Sequence, residues 1–190
     1  MGRLIELSFC ALAFLTSVTA VARTPEQQLA DTVQGFYGWV LLHGASVDKL
    51  APLIKDVKGS TRFYLDTSTL DAYSHSFMQS GYFSADFPAA VARYYLPYQT
   101  QFATMSQAEF DQLAIDHRGP LMDVEDMDNF FCAQEYEYKK RFVRGMKLTE
   151  IHFNGDRVTA MVVSPYQWKT PFAFVKINGR WLISGYCVFL

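Results

Sequence analysis

Four acidic side chains crowd one short stretch: Asp123, Glu125, Asp126 and Asp128. Carboxylate oxygens at this density can hold calcium, but the spacing is not that of an EF-hand loop and no glycine stands where its tight turn needs one. The other reading is a solvated loop or the start of a helix, where the first turn favours negative charge. An acidic edge would also speed the approach of a basic protein partner. The histidines His43, His75, His117 and His152 show no His-x-x-x-His spacing, so no metal site is expected. Asp116-His117 is the single adjacent acid–imidazole pair, and sequence neighbours rarely face each other. His152 reads as an ordinary surface histidine, with a partner contact or a pH-sensitive residue as the alternatives. No Gly-x-Ser-x-Gly elbow and no phosphate-cradling glycine loop occurs. No catalytic residue and no cofactor is therefore expected, and the chain does not read as an enzyme.

The first residues speak of export. Arg3 is a basic start, Leu4 to Val18 is mostly apolar, and Ala20-Val21-Ala22 is a small-x-small cleavage signal. Residues 1–22 are read as a cleaved signal peptide, with the mature chain starting at about Arg23. A retained anchor is not expected, because Glu6 breaks the run and a spanning helix needs about 20 residues. Lipidation at Cys10 is not expected either, since Phe9 is bulky where a small residue is wanted. The compartment is then the periplasm, with secretion as the alternative. Cys10 leaves with the signal, and Cys132 and Cys187 remain. In an oxidising compartment two such cysteines usually pair; two buried free thiols are the other possibility.

Residues 23–190 have the length of a single domain. The chain is 50% hydrophobic and 16% aromatic, so a substantial core can form. The formal net charge is −2. The basic cluster Lys139-Lys140-Arg141 with Arg144 is flanked by Glu135 and Glu137, which does not suit nucleic acid.

Helices are expected over residues 24–135. Thr24, Pro25 and Gln27 form a start signal, and Leu29, Val33, Phe36, Tyr37, Val40 and Leu41 recur at helical spacing up to Gly44. A short helix is expected from Val47 to Lys55. Another should run from Thr67 or Ser68 to Gly81, and a longer one from Phe87 to Phe102 with Pro97 kinking or dividing it. Ser106-Gln107-Ala108-Glu109 is a capping box for a helix to about Ile115. Tyr94, Tyr95, Tyr98 and Phe102 share helical spacing, which suits a core or interface, or else an apolar ligand pocket.

From about residue 146 to 189 the period becomes two. Thr149, Ile151 and Phe153 alternate with Leu148, Glu150 and His152, and Val158, Ala160 and Val162 continue the pattern. Asn154-Gly155 and Asn178-Gly179 are hairpin signals. The expectation is an α+β domain, with N-terminal helices packed on a curved antiparallel sheet of at least four strands in a C-terminal meander. Trp181, Ile183 and Cys187 would share its inner face, and Leu148, His152 and Phe172 or its neighbours the outer one.

This order of elements, with Asp126-Met127-Asp128-Asn129-Phe130-Phe131-Cys132-Ala133-Gln134-Glu135, Asn154-Gly155-Asp156-Arg157-Val158 and Asn178-Gly179-Arg180-Trp181-Leu182-Ile183, resembles the nuclear transport factor-like α+β cone superfamily. Within it the chain is similar to a family of small exported bacterial proteins and lipoproteins. It departs from lipidated members in lacking a usable lipidation cysteine. The resemblance implies a cone fold and a possible homodimer through the outer sheet face. Cone-fold enzymes such as ketosteroid isomerase and scytalone dehydratase use an aspartate or a histidine–aspartate pair, and no residue here matches those roles.

The function expected is a non-catalytic, exported protein-binding domain. Its partner lies outside the cytoplasm, and a toxin neutralised by an immunity protein is the narrower version. Asp123, Glu125, Asp126, Asp128 and His152 are the candidate contacts. The alternatives are a small apolar-ligand carrier or sensor using Tyr94, Tyr95, Tyr98 and Phe102, and a hydrolase or isomerase using Asp116 and His117. No stable membrane anchor is expected after signal cleavage. Intact mass of the exported protein should correspond to a chain starting at about Arg23; a species that retains Met1 to Ala22 would overturn the signal reading.

Overall fold

A computed structural model describes residues 23–119, 122 and 127–190. The proposed signal peptide and Asp123, Glu125 and Asp126 lie outside the described residues. Thr24 opens α1 (Pro25–Asp48) with a capping box. Its Oγ1 accepts from Gln27 N–H at 3.3 Å, and Gln27 Oε1 accepts from Thr24 N–H at 2.9 Å. The helix does not stop at Gly44. A Cβ there would lie 3.3 Å from Tyr138 and 3.4 Å from Phe130, so this glycine marks a close crossing rather than a cap.

The short helix expected from Val47 to Lys55 is not formed. Val47 belongs to the last turn of α1, and the chain then makes a hairpin of β1 (Leu53–Asp56) and β2 (Phe63–Asp66). Pro52 disfavours helix at the residue before it. Downstream, Phe63 and Leu65 are buried and Tyr64 is exposed, a period of two. Phe63 meets Phe102 and Phe110 edge-on, with centroids 5.1 and 4.8 Å away. The helical region is therefore interrupted by a small sheet.

The next helices follow the expected order: α2 (Leu70–Gln79), α3 (Phe87–Thr104) and α4 (Gln107–Ile115). Pro97 sits inside α3 without dividing it. Ser106 and Glu109 form the capping box of α4. A short helix, α5 (Lys140–Arg144), occupies the basic cluster and was not expected.

Four strands complete the chain: β3 (Lys147–Asn154), β4 (Arg157–Val163), β5 (Lys169–Ile177) and β6 (Arg180–Tyr186). They form an antiparallel meander in the order β3-β4-β5-β6. Asn154 pairs with Arg157, so the first hairpin loop is Gly155-Asp156, with φ +58 at the glycine. Glycine at the first loop position is the pattern of a type II′ turn. The second loop, Asn178-Gly179, has positive φ at both residues, as a type I′ turn requires.

Two bulges overturn the simple alternation. In β3, Thr149 pairs with Met161 but His152 pairs with Thr159, so one extra residue enters near Glu150. Leu148 opposite Val162 and Phe153 opposite Val158 therefore share the inner side; Thr149 and His152 share the outer. In β6 Ile183 pairs with Phe174 but Gly185 pairs with Ala173, so Ser184 is an extra residue, and Tyr186 rather than Cys187 continues the inner face of Trp181 and Ile183. Phe172 is buried on that face, not on the outer one.

Cys187 follows β6 and is bonded to Cys132, with 6.0 Å between their Cα atoms and a sequence separation of 55. Closing a loop of that length removes on the order of 4 kcal/mol of unfolded-state entropy, an upper figure. The double substitution Cys132→Ser with Cys187→Ser should lower the unfolding free energy by up to about that amount. Urea titration checks it, and an unchanged midpoint would show that the bond contributes nothing.

Candidate binding site

Residues 127–139 contain neither helix nor strand. Their backbone groups must be satisfied individually. Asp128 does this at the start. Its Oδ1 accepts from Phe130 N–H at 3.0 Å and Phe131 N–H at 2.7 Å, and its Oδ2 accepts from the Tyr138 hydroxyl at 2.8 Å. Its carbonyl accepts from Cys132 N–H at 2.8 Å, and its own N–H donates to the Ala133 carbonyl at 3.1 Å. Three side chains tie the segment to the rest of the fold. Tyr186 donates to the Asn129 carbonyl at 3.1 Å, Thr170 to the Phe131 carbonyl at 3.0 Å, and Asn129 Nδ2 to Asp48 Oδ1 at 2.7 Å.

The rings of this segment run from core to surface. Phe131 stacks on buried Tyr37 at 5.0 Å, and Tyr136 stacks on Phe131 at 5.7 Å. Tyr138 meets Phe131 edge-on at 5.1 Å. Phe142, on α5, contacts both Phe131 and Tyr166. Tyr136, Tyr138 and Tyr166 remain 39%, 45% and 46% exposed. Glu137 joins the group: it accepts from the Tyr166 hydroxyl and pairs with Lys139 at 3.0 Å and Arg141 at 3.1 Å. The result is a patch of three anchored tyrosines rimmed by charges of both signs.

Electrostatics separates the two acids. Burial pushes the Asp128 carboxyl above its ordinary value, although the hydrogen bonds from Phe131, Tyr138 and Phe130 oppose the shift. The Tyr138 phenol is also raised, by burial first and then by the Asp128 charge. Glu137 is pulled down to about 2, chiefly by the Tyr166 hydroxyl and then by Lys139 and Arg141.

Of the residues singled out in the sequence, Asp128 is half-buried, and its carboxylate is spent inside the segment. It supports Tyr138 rather than presenting a charge. His152 is exposed on β3 opposite Thr159, outside this network. Tyr95 and Phe102 are buried, while Tyr94 and Tyr98 are half-buried and pack against the core. The four rings do not line one cavity. Tyr95 borders a cleft of about 230 Å³ with Ile54, Met127 and Asn129; Phe102 borders another of about 410 Å³ with Phe63, Met105 and Leu113. Asp116 Oδ1 accepts from Gln112 Nε2 at 2.9 Å, and His117 follows at φ +51. Among the described residues no group of three or more histidine, cysteine or acidic side chains could hold a metal ion.

Sequence reasoning missed Tyr136, Tyr138 and Tyr166. The alternation Glu135-Tyr136-Glu137-Tyr138, close behind Cys132, was a usable signal. No family model, no curated protein and no solved structure matches the chain.

The two acids act with opposite sign on stability. Asp128 holds its proton at pH values where the unfolded chain has released it, so its ionisation lowers stability as pH rises through the folded value. Glu137 stabilises above its ordinary value of 4.5, and that contribution is lost as pH falls towards about 2. Carbon-13 titration of the carboxylates should place Asp128 above the usual aspartate range and Glu137 near about 2. Tyr166→Phe should move Glu137 up; an unmoved Glu137 would mean that the hydroxyl does not hold it.

Proposed function

We propose that the chain is exported and that residues 23–190 form a non-catalytic protein-binding domain outside the cytoplasm. The observation that carries this is the rigid patch of Tyr136, Tyr138 and Tyr166. Tyrosine is enriched where protein interfaces carry their energy, because one side chain offers apolar area and a hydroxyl together. Here the rings are anchored before a partner arrives. Asp128 and Phe131 hold Tyr138, Phe131 holds Tyr136, and Glu137 and Phe142 hold Tyr166, so less side-chain freedom is lost on binding. The charged rim of Glu137, Lys139 and Arg141 can orient the partner without dominating its affinity.

The narrower form is an immunity protein that neutralises a toxin acting in the periplasm. The export signal and the preorganised patch support it. Kinship with the cone superfamily remains part of the proposal, supported by the helices-then-meander order and by a sheet whose inner face is buried. A second reading, a carrier or sensor of a small apolar ligand, is favoured by the cleft of Phe63, Phe102, Met105 and Leu113.

Photo-crosslinking from position 136 in exporting cells identifies the partner, and calorimetry with that protein measures it. The triple substitution Tyr136→Ser, Tyr138→Ser and Tyr166→Ser should weaken binding at least tenfold, since a central interface tyrosine is commonly worth about 2 kcal/mol. If the partner is a toxin, the same substitutions should abolish protection. Unchanged affinity in the folded triple variant would refute the site. Native mass spectrometry showing a co-purified small molecule would favour the carrier.

A further inference from the structure

Beside Tyr166, one row of the sheet carries a lysine at each end. Val163 of β4 pairs with Lys147 of β3 on one side and with Lys169 of β5 on the other. Residues directly opposite one another across strands share a face. Both lysines therefore stand on the outer face with Val163 between them, about 10 Å apart along the backbone row. They are exposed, and they line a cleft of about 500 Å³ together with Ser164, Pro165 and Gln167. Tyr166 sits between two of these cleft residues, so the cleft continues the surface of the tyrosine patch. The turn that joins them is fixed. Ser164 Oγ accepts from Tyr166 N–H and Trp168 N–H, both at 3.2 Å, and Ser164 N–H donates to the Trp168 carbonyl at 2.9 Å. A Cβ on Gly145 would lie 2.8 Å from Pro165, so the end of α5 closes on the same turn.

These elements bring together a local excess of positive charge. Lys139, Lys140, Arg141, Arg144, Lys147 and Lys169 are all exposed, against the acids Glu135, Glu137 and Glu150. Glu137 is occupied by Lys139, Arg141 and the Tyr166 hydroxyl, and Glu150 pairs with Lys169 at 2.6 Å. Lys140, Arg144 and Lys147 meet no carboxylate among the described residues. An exposed pair such as Lys169 with Glu150 contributes little by itself, so Lys169 remains available to a second carboxylate. The whole chain has a formal charge of −2, which makes the excess a property of this surface and not of the composition. Uncompensated charge on one face steers a partner of the opposite sign.

We infer that the protein bound at the tyrosine patch presents an acidic segment, one carboxylate of which enters the cleft between Lys147 and Lys169. This inference rests on the reading of Tyr136, Tyr138 and Tyr166 as a binding site, and adds the charge of the partner. The two ammonium groups ride on flexible stems, so both can reach one carboxylate, while Val163 gives the stems an apolar floor. Arg144 and Lys140, on α5, extend the positive surface to further acids of the same segment.

Three peptides test this against the purified exported protein: a phenylalanine flanked on both sides by glutamates, by glutamines or by lysines. Binding is followed through the amide signals in nuclear magnetic resonance. At low salt the glutamate peptide should bind at least fivefold more tightly than the glutamine one and shift the signals of Lys147, Gln167 and Lys169. That advantage should largely vanish at about 0.5 M salt, where exposed charges are screened. Lys147→Gln with Lys169→Gln should remove it too, whereas Lys58→Gln with Lys176→Gln, the same loss of charge elsewhere, should not. Equal binding of the glutamine peptide, tighter binding of the lysine peptide, or no response to any of the three at millimolar concentration would overturn the inference. In the first two cases shifts at Tyr138 and Tyr166 would leave the patch reading standing. Glutamate-peptide shifts at Lys147 and Lys169 without any at Tyr138 or Tyr166 would instead count against the patch and leave the charged cleft. Tighter binding to phosphatidylglycerol vesicles than to the glutamate peptide would replace the protein partner by a lipid surface and overturn the inference.

Discussion

Cys132 is bonded to Cys187, Tyr186 donates to the Asn129 carbonyl, and Thr170 donates to the Phe131 carbonyl. Through these links a segment with no regular secondary structure is held between α1 and the strands β5 and β6. An isolated loop of this kind would leave its backbone groups to water and its rings free to rotate. Held in this way, it carries Phe131 onto Tyr37 and keeps Tyr136 and Tyr138 at the surface. The same links anchor the last residues of the sheet, so the patch and the closing edge of the fold depend on one set of contacts.

Beneath that tie the core is largely aromatic. Phe36 of α1 meets Phe83 at 5.0 Å and Tyr186 at 5.3 Å, and Phe83 lies 4.3 Å from Phe87 of α3. Phe77 of α2 contacts Phe83 and Phe130. Rings of this size fill space between helices and sheet with few atoms of backbone, and tilted or edge-on contacts suit their charge distribution. Tyr186 belongs to both systems, with its ring in the core and its hydroxyl on the segment that carries the patch.

Local signals were legible where one or two neighbouring residues decide the structure. The capping boxes at Thr24–Gln27 and Ser106–Glu109 formed as their spacing required. The two turns at Gly155 and Asn178-Gly179 formed because positive φ is cheap there. The fold class and the succession of helices before a meander followed from the change of hydrophobic period. The hairpin of β1 and β2 was less legible, since Leu50, Leu53 and Ile54 fit a helical face as well as a strand. Its outcome depended on Phe63 finding Phe102 of α3 and Phe110 of α4.

The amino-acid order by itself determined the succession of helices before a meander, where most helices begin, and which two cysteines could meet. Those outcomes rest on interactions between residues close in the chain, or on a simple count. Tertiary structure alone decided the faces of the sheet and the candidate site. One extra residue near Glu150 and another before Tyr186 reverse the parity of their strands, and a strict alternation cannot reveal them. The bulge in β6 turns Tyr186 inward, where its hydroxyl reaches Asn129. Asp128 likewise looked like a surface charge among acidic neighbours, but burial and three donors made it a support for Tyr138. Such roles come from contacts between distant parts of the chain, and no local spacing records them.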